Sequence, residues 1–260
     1  MPEKVILNSR VTAAISILSV LLMILLSLIY PGRTGYIVVM LLMLLFMITI
    51  GLHISRRAAG VLINERNLIS LARFQLVMWT LLILSAFLAA VLGRIKAGGQ
   101  VADALAIGFD QRLLGLVGIT TASLVGTPLL QSTKKVQEPK TEAVEKAAKD
   151  LKATAADVQD NAQGVLFANP NVADASFSDM FQGDEVSNKA YVDVAKLQMF
   201  FFTVIAGVTY GVELYRWLAE NRYLGAGAAF PTISAGLIAV LAISHAGFQV
   251  NNSVTRTPTV

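Results

Sequence analysis

The sequence predicts an all-α integral membrane protein with six transmembrane helices: an N-terminal hairpin followed by two parallel two-helix repeats. Three observations predict it. Of the 260 residues, 55% are hydrophobic and only 15% charged, where a soluble domain carries about 25% charge. Several apolar runs reach the roughly 18 residues that a membrane-crossing helix needs. And "LARFQLVMWT" at 71–80 is echoed by "VAKLQMFFFT" at 194–203, each at the mouth of such a run.

The spans follow in order. The first covers 11–30 and ends at "YPGRTG", where proline and glycine make a tight turn. The short basic start "MPEKVILNSR" and the lack of a small-residue cleavage site after the first run read as an uncleaved helix, not a signal peptide. The second span, 35–54, is bulky and apolar nearly all round, so it belongs at the periphery. The first 60 residues form the hairpin. The third and fourth spans, 70–93 and 112–132, make the first repeat within 61–132. The fifth and sixth, 196–216 and 230–250, make the second within 196–260. Pro128 falls near the end of the fourth span, where it can kink the helix. Pro231 suits the first turn of the sixth, where a missing N–H costs little.

Between the repeats lies a polar segment, 133–195. Residues 133–196 hold eleven Asp and Glu against eight Lys, while the rest of the chain holds thirteen Lys and Arg against six acids. Basic residues flanking spans report topology. With the N-terminus inside, the inner flanks carry Lys4, Arg10, Arg56, Arg57, Arg66, Arg73, Lys134, Lys135, Lys189, Lys196 and Arg256. The outer flanks carry Arg33, Arg94, Lys96, Arg112, Arg216 and Arg222. The excess places both termini and the acidic loop in the cytoplasm. In that loop Val144, Leu151 and Val158 recur every seven residues along one amphipathic helix over 141–162. Further on, Phe177, Met180 and Phe181 share a helical face. They either dock onto the protein's own inner surface or form a docking patch for a cytosolic or membrane partner reached through residues 141–188.

The repeated phrase aligns Arg73, Gln75, Trp79 and Thr80 with Lys196, Gln198, Phe202 and Thr203, and "GITTASLV" at 118–125 with "AISHAGFQ" at 242–249. Two ordered matches at nearly one offset imply duplication, and both copies start on the same side, so the repeats are parallel. Arg73 and Lys196 sit at the boundary, where cations snorkel to headgroups. Gln75, Thr80, Thr120, Thr121, Gln198, Thr203, Ser244 and His245 form a polar belt within the hydrocarbon. There each needs a partner, either another helix or the water of a pore. Gly118, Ala122 and Gly126, with Gly207 and Gly211, give small-residue faces that let helices approach closely. These faces predict that spans four to six form the core, with the hairpin outside.

Other chemistry finds little support. There are no cysteines and only two histidines, which excludes disulfides and thiolate metal sites. No metal site or cofactor is expected. Asp179, Asp184 and Glu185 match no calcium-loop spacing and read as a solvated acidic turn. "AIGFD" at 106–110 partly matches a potassium filter but lacks its second glycine and leading threonine. Glu213 and Arg216 read as a one-turn ion pair. Nothing resembles an enzyme's paired acid and base in one cleft, and no basic aromatic stripe suggests nucleic acid.

The "SLARFQxxxWT" phrase and "FSDMFQGDEVSN…KLQMFFFT" resemble stretches of uncharacterised bacterial multi-pass inner-membrane proteins. The likeness covers 68–133 and 176–250 and implies a bacterial inner membrane, with no activity attached. The expected function is a non-enzymatic membrane scaffold or complex subunit. It would sit in the lipid bilayer as a homo-oligomer and present the acidic loop for docking. The alternative is an oligomeric ion channel or transporter subunit lined by the belt.

Overall fold

A computed structural model describes residues 8–260 of the chain. Lys4, one of the flanking cations, lies outside the described residues. Helix α1 (Ser9–Ile29) starts at Asn8, whose side chain accepts from the Arg10 N–H at 3.2 Å. Helix α2 (Arg33–Ser55) follows the turn at Gly32, whose φ of +72° suits glycine, and ends at Arg56 in the left-handed region. Then come α3 (Leu71–Lys96), the short α4 (Val101–Leu105) and α5 (Gln111–Ser132), which runs through Pro128. The polar segment holds α6 (Thr141–Leu151), α7 (Ala155–Asn161) and a small antiparallel hairpin of β1 (Ala162–Gln163) and β2 (Leu166–Phe167). Helices α8 (Val194–Ala219) and α9 (Ala235–Ser253) close the chain.

Among the described residues, five helices are long and apolar enough to cross a membrane: α1, α2, α3, α5 with its extension to Val136, and α8. The expected sixth span is a helix, α9, but it is not one of the five. Its second half carries Ser244, His245, Gln249, Asn251 and Asn252. It also begins later than expected. Pro231 does not open it. Residues 231–234 carry no regular structure; the Ser234 hydroxyl accepts from the Leu237 N–H at 3.1 Å, and the Pro231 carbonyl accepts from the Tyr210 hydroxyl instead.

The chain forms two compact units. The first takes in the chain up to Val61, Leu76–Val117 and Val204–Ile238. In it Ala86, Ala89 and Ala90 of α3 are fully buried. Against α3, Gly207 and Gly211 of α8 let the helix approach closely: a Cβ at Gly207 would lie 2.6 Å from Met78 Cε, and one at Gly211 3.1 Å from Leu82. The GxxxG face therefore packs inside the chain. Trp79 meets Tyr210 beside it at 6.2 Å between ring centroids. At the far end of α3, Arg94 donates to the carbonyls of Tyr223 and Gly225. Glu213 does not pair with Arg216 one turn away. It accepts from Arg222 at 2.9 Å, and Arg216 is exposed.

The second unit holds Leu62–Gln75, Gly118–Thr203 and Ala239–Val260. Its polar part has an apolar centre where Val144, Ala147 and Ala148 of α6 meet Val158 and Val186, with Leu151 alongside. The seven-residue stripe thus buries as expected, but not on one helix. Lys152 adopts the left-handed conformation, and Thr154 opens α7 with a capping box to Asp157. Gly164, at φ +62°, makes the hairpin turn, and a Cβ there would lie 2.3 Å from the Lys134 carbonyl.

Spans four to six were expected to form the core. Instead α3 is the most buried of the five spans, with half of its most apolar stretch inside, against 22% for α5. The alanines of α3 are its small face. Gly118 has open space where a Cβ would stand, and Ala122 is exposed.

Candidate functional site

The belt resolves into two pairs, both within the second unit. Gln75 on α3 donates through Nε2 to Thr203 Oγ1 on α8 at 2.6 Å, with both residues buried. Ser123 on α5 and His245 Nδ1 on α9 share a hydrogen bond, also 2.6 Å long. One turn further along, Gln249 donates to the Ser123 carbonyl at 3.3 Å and to Thr127 Oγ1 at 3.4 Å. Gly126 lies against that amide, 3.5 Å from where its Cβ would be. Thr120 and Ser244 are buried in the same stretch.

Other belt residues lie elsewhere. Thr80 is half-buried and Thr121 exposed. Gln198 is exposed on the α8 face that also presents Val194 and Phe201. Sequence matching placed Gln198 with Gln75, but α8 turns Met199 and Thr203 inward and leaves Gln198 outside.

Both boundary cations bond within the protein. Lys196 is buried, bonded to Asp184 Oδ2 at 2.8 Å and to the Gln182 carbonyl at 2.7 Å. Arg73 is half-buried, donating to the Ile63 carbonyl at 2.7 Å and to Glu65. Nor is 179–185 a solvated turn. Each of its three acids grips a cation from another part of the unit. Asp184 holds Lys196 at the start of α8 and Arg66 before α3, the latter at 2.5 Å. Glu185 holds Lys134, beyond the end of α5, at 2.6 Å and accepts from the backbone N–H groups of Arg256 and Thr257 after α9. Asp179 holds Lys189 at 3.0 Å and accepts from the Ile69 N–H. Buried charges survive only when paired, and each of these is paired. Burial alone would raise the Asp184 carboxyl, but Lys196 and Arg66 hold it well below the usual carboxylate range. Burial also lowers the Lys189 ammonium, against the pull of Asp179.

Sequence reasoning counted Arg66 and Lys134 only as topological charges, and it missed Asn64, Asn67 and Asn169 altogether. Asn64 Oδ1 accepts from the N–H groups of Arg66 and Leu68, shaping the turn that presents Arg66. Asn67, left-handed at φ +57°, exchanges side-chain-to-carbonyl bonds with Asn169. The usable signal was "NERN", two turn-forming asparagines around a cation.

The docking patch divides. Met180 is buried, Phe181 half-buried and Phe177 61% exposed. Phe181 meets Phe200 of α8 edge-on at 5.1 Å, so most of the patch packs on the protein itself. The filter-like stretch is also accounted for. The Gly108 carbonyl accepts from the Phe230 N–H at 2.9 Å, and Phe109 stacks on Phe230 at 4.9 Å. A carbonyl so engaged does not line a pore. No group of metal-binding side chains stands together among the described residues. No protein family, curated protein or solved structure matches the chain.

Proposed function

We propose that the chain is a non-enzymatic membrane scaffold or complex subunit. It spans a bacterial inner membrane six times, with both termini and the acidic segment in the cytoplasm. It oligomerises with copies of itself and offers the folded segment over 141–188 to a partner. The observation that carries this reading is the use made of the belt: Gln75, Thr203, Ser123 and His245 bond helix to helix in a buried setting. Such bonds act as glue, worth about 1 kcal/mol each. The ion pairs of Asp184 and Glu185 support the same role, since they tie the polar segment to the ends of α3, α5 and α8.

Two parallel repeats remain our reading of the internal matches. Gln75 with Thr203 joins α3 to α8, and Ser123 with His245 joins α5 to α9. Each bond links a helix of one proposed copy to the equivalent helix of the other. Gly108-Phe109 and Ala229-Phe230, in the corresponding connections, meet in the same manner.

One observation favours the channel or transporter reading. Gln75 Oε1, Gln249 Oε1, Gln131 Nε2 and Asn252 Nδ2 are buried without a protein partner. Water would satisfy them, and a connected file of such water along α5 and α9 would conduct. Ion flux into liposomes holding the purified protein separates the two readings. A scaffold leaves flux at the protein-free rate, while Gln75→Leu lowers thermal stability by about 1 kcal/mol. Flux above the protein-free rate that Gln75→Leu abolishes would establish the channel instead.

A further inference from the structure

We infer that the turn at 176–181 is a membrane-interface anchor that sets the Phe177 ring into the headgroup–acyl boundary of the bilayer. The inference rests on the reading of α8 as a membrane span.

The geometry is local. Phe177 is 61% exposed, an unusual state for a large aromatic held in a fixed conformation. It is not loose. It meets Phe181 at 5.3 Å and Phe200 at 6.2 Å between ring centroids, and Phe200 also meets Phe74 of α3 at 5.5 Å. Phe200 lies on α8, one residue before Phe201, from which the outward face, polar at Gln198, runs apolar through Ile205 and Val208. A ring touching Phe200 therefore stands at the depth where α8 enters lipid. Aromatic rings favour that zone because one side meets acyl chains and the other meets polar headgroups. The exposed neighbours Ser176 and Ser178 suit the polar side.

The turn is also braced from within. Asp179 Oδ2 accepts from the Ser176 N–H at 2.7 Å, and Asp179 Oδ1 pairs with the buried Lys189. A pre-formed turn loses little conformational entropy on insertion. The acid that holds the turn thus presents the ring, and the partner this surface fits is a lipid surface.

The chain has no cysteines, so a single introduced thiol can carry a nitroxide label in the full-length protein. Labels at Phe177→Cys, Ile205→Cys and Glu145→Cys, in liposomes, are compared for collision with oxygen and with a water-soluble nickel chelate. Ile205 supplies the lipid reference and Glu145, exposed on α6, the water reference. The expected ratio at 177 lies nearer the Ile205 value than the Glu145 value, and Ser178→Cys next to it reads a shallower position. A water-like ratio at 177 overturns the anchor. So does shielding from both reagents, which would mean that protein covers the ring. If Ile205 itself reads as water, the membrane assignment of α8 fails, an outcome distinct from failure of the anchor alone.

Discussion

Glu185 is the residue on which the second unit converges. Its side chain is only 2% exposed, yet it takes the Lys134 ammonium and two backbone N–H groups. Removing one partner of such a pair leaves an uncompensated buried charge, at a cost of about 3–5 kcal/mol. Glu185→Ala should therefore unfold the second unit at much lower denaturant than the unaltered protein. Lys134→Met should cost less, because the carboxylate keeps its two N–H donors. An equal loss for both would deny the backbone contacts their part. Asp184 sets a pH limit. Its folded-state value lies below its unfolded one, held there by Lys196 and Arg66 against burial. The stabilisation is complete above the ordinary aspartate range, near pH 4, and drains away as pH falls below it toward the folded value. Lys196→Met should move the acid transition to higher pH, as read by near-UV circular dichroism. An unmoved transition would mean that Asp184 does not govern it.

At the scale of elements, two small-residue faces have different fates, and substitution separates them. Gly207 faces Met78 at close approach, so Gly207→Val should overpack α3 against α8 and cost about 1–3 kcal/mol in thermal unfolding. Gly118 meets nothing within 4 Å, so Gly118→Leu should leave the fold unchanged. If copies of the chain pack on that face, the same change reduces the oligomer's mass in detergent, as read by light scattering. The helices themselves were legible in the sequence. Apolar runs placed α1, α2, α3, α5 and α8 to within a few residues, because length and hydropathy alone decide them. The core was less legible. The small-residue stripe on α5 suggested contact along its length, but Gly118 and Ala122 face outward while Gly126 meets Gln249, and the alanines of α3 are the fully buried small residues. A small residue permits approach and does not say which neighbour arrives. The break between α6 and α7 escaped for a related reason: Lys152 in a left-handed cap looks like any helix-forming lysine until Thr154 is recognised as the next cap.

At the scale of the molecule, the residues that matter were found more readily than their partners. Gln75, Thr203 and His245 were legible because polar groups in an apolar run are costly and must serve something. Gln198 was misplaced because sequence identity between copies carries no information about helix rotation. The acids at 179–185 looked solvated because their cations lie up to 118 residues away in the chain. No local pattern encodes a pairing of that range. The central claim is that the belt is dry. The direct measurement uses the cysteine-free chain: Ser123→Cys, a near-isosteric change beside His245, is treated in sealed liposomes with a membrane-impermeant thiol reagent applied from each side. The scaffold account predicts no labelling from either side until the protein is unfolded. Rapid labelling of the folded protein would place water along α5 and α9 and contradict it.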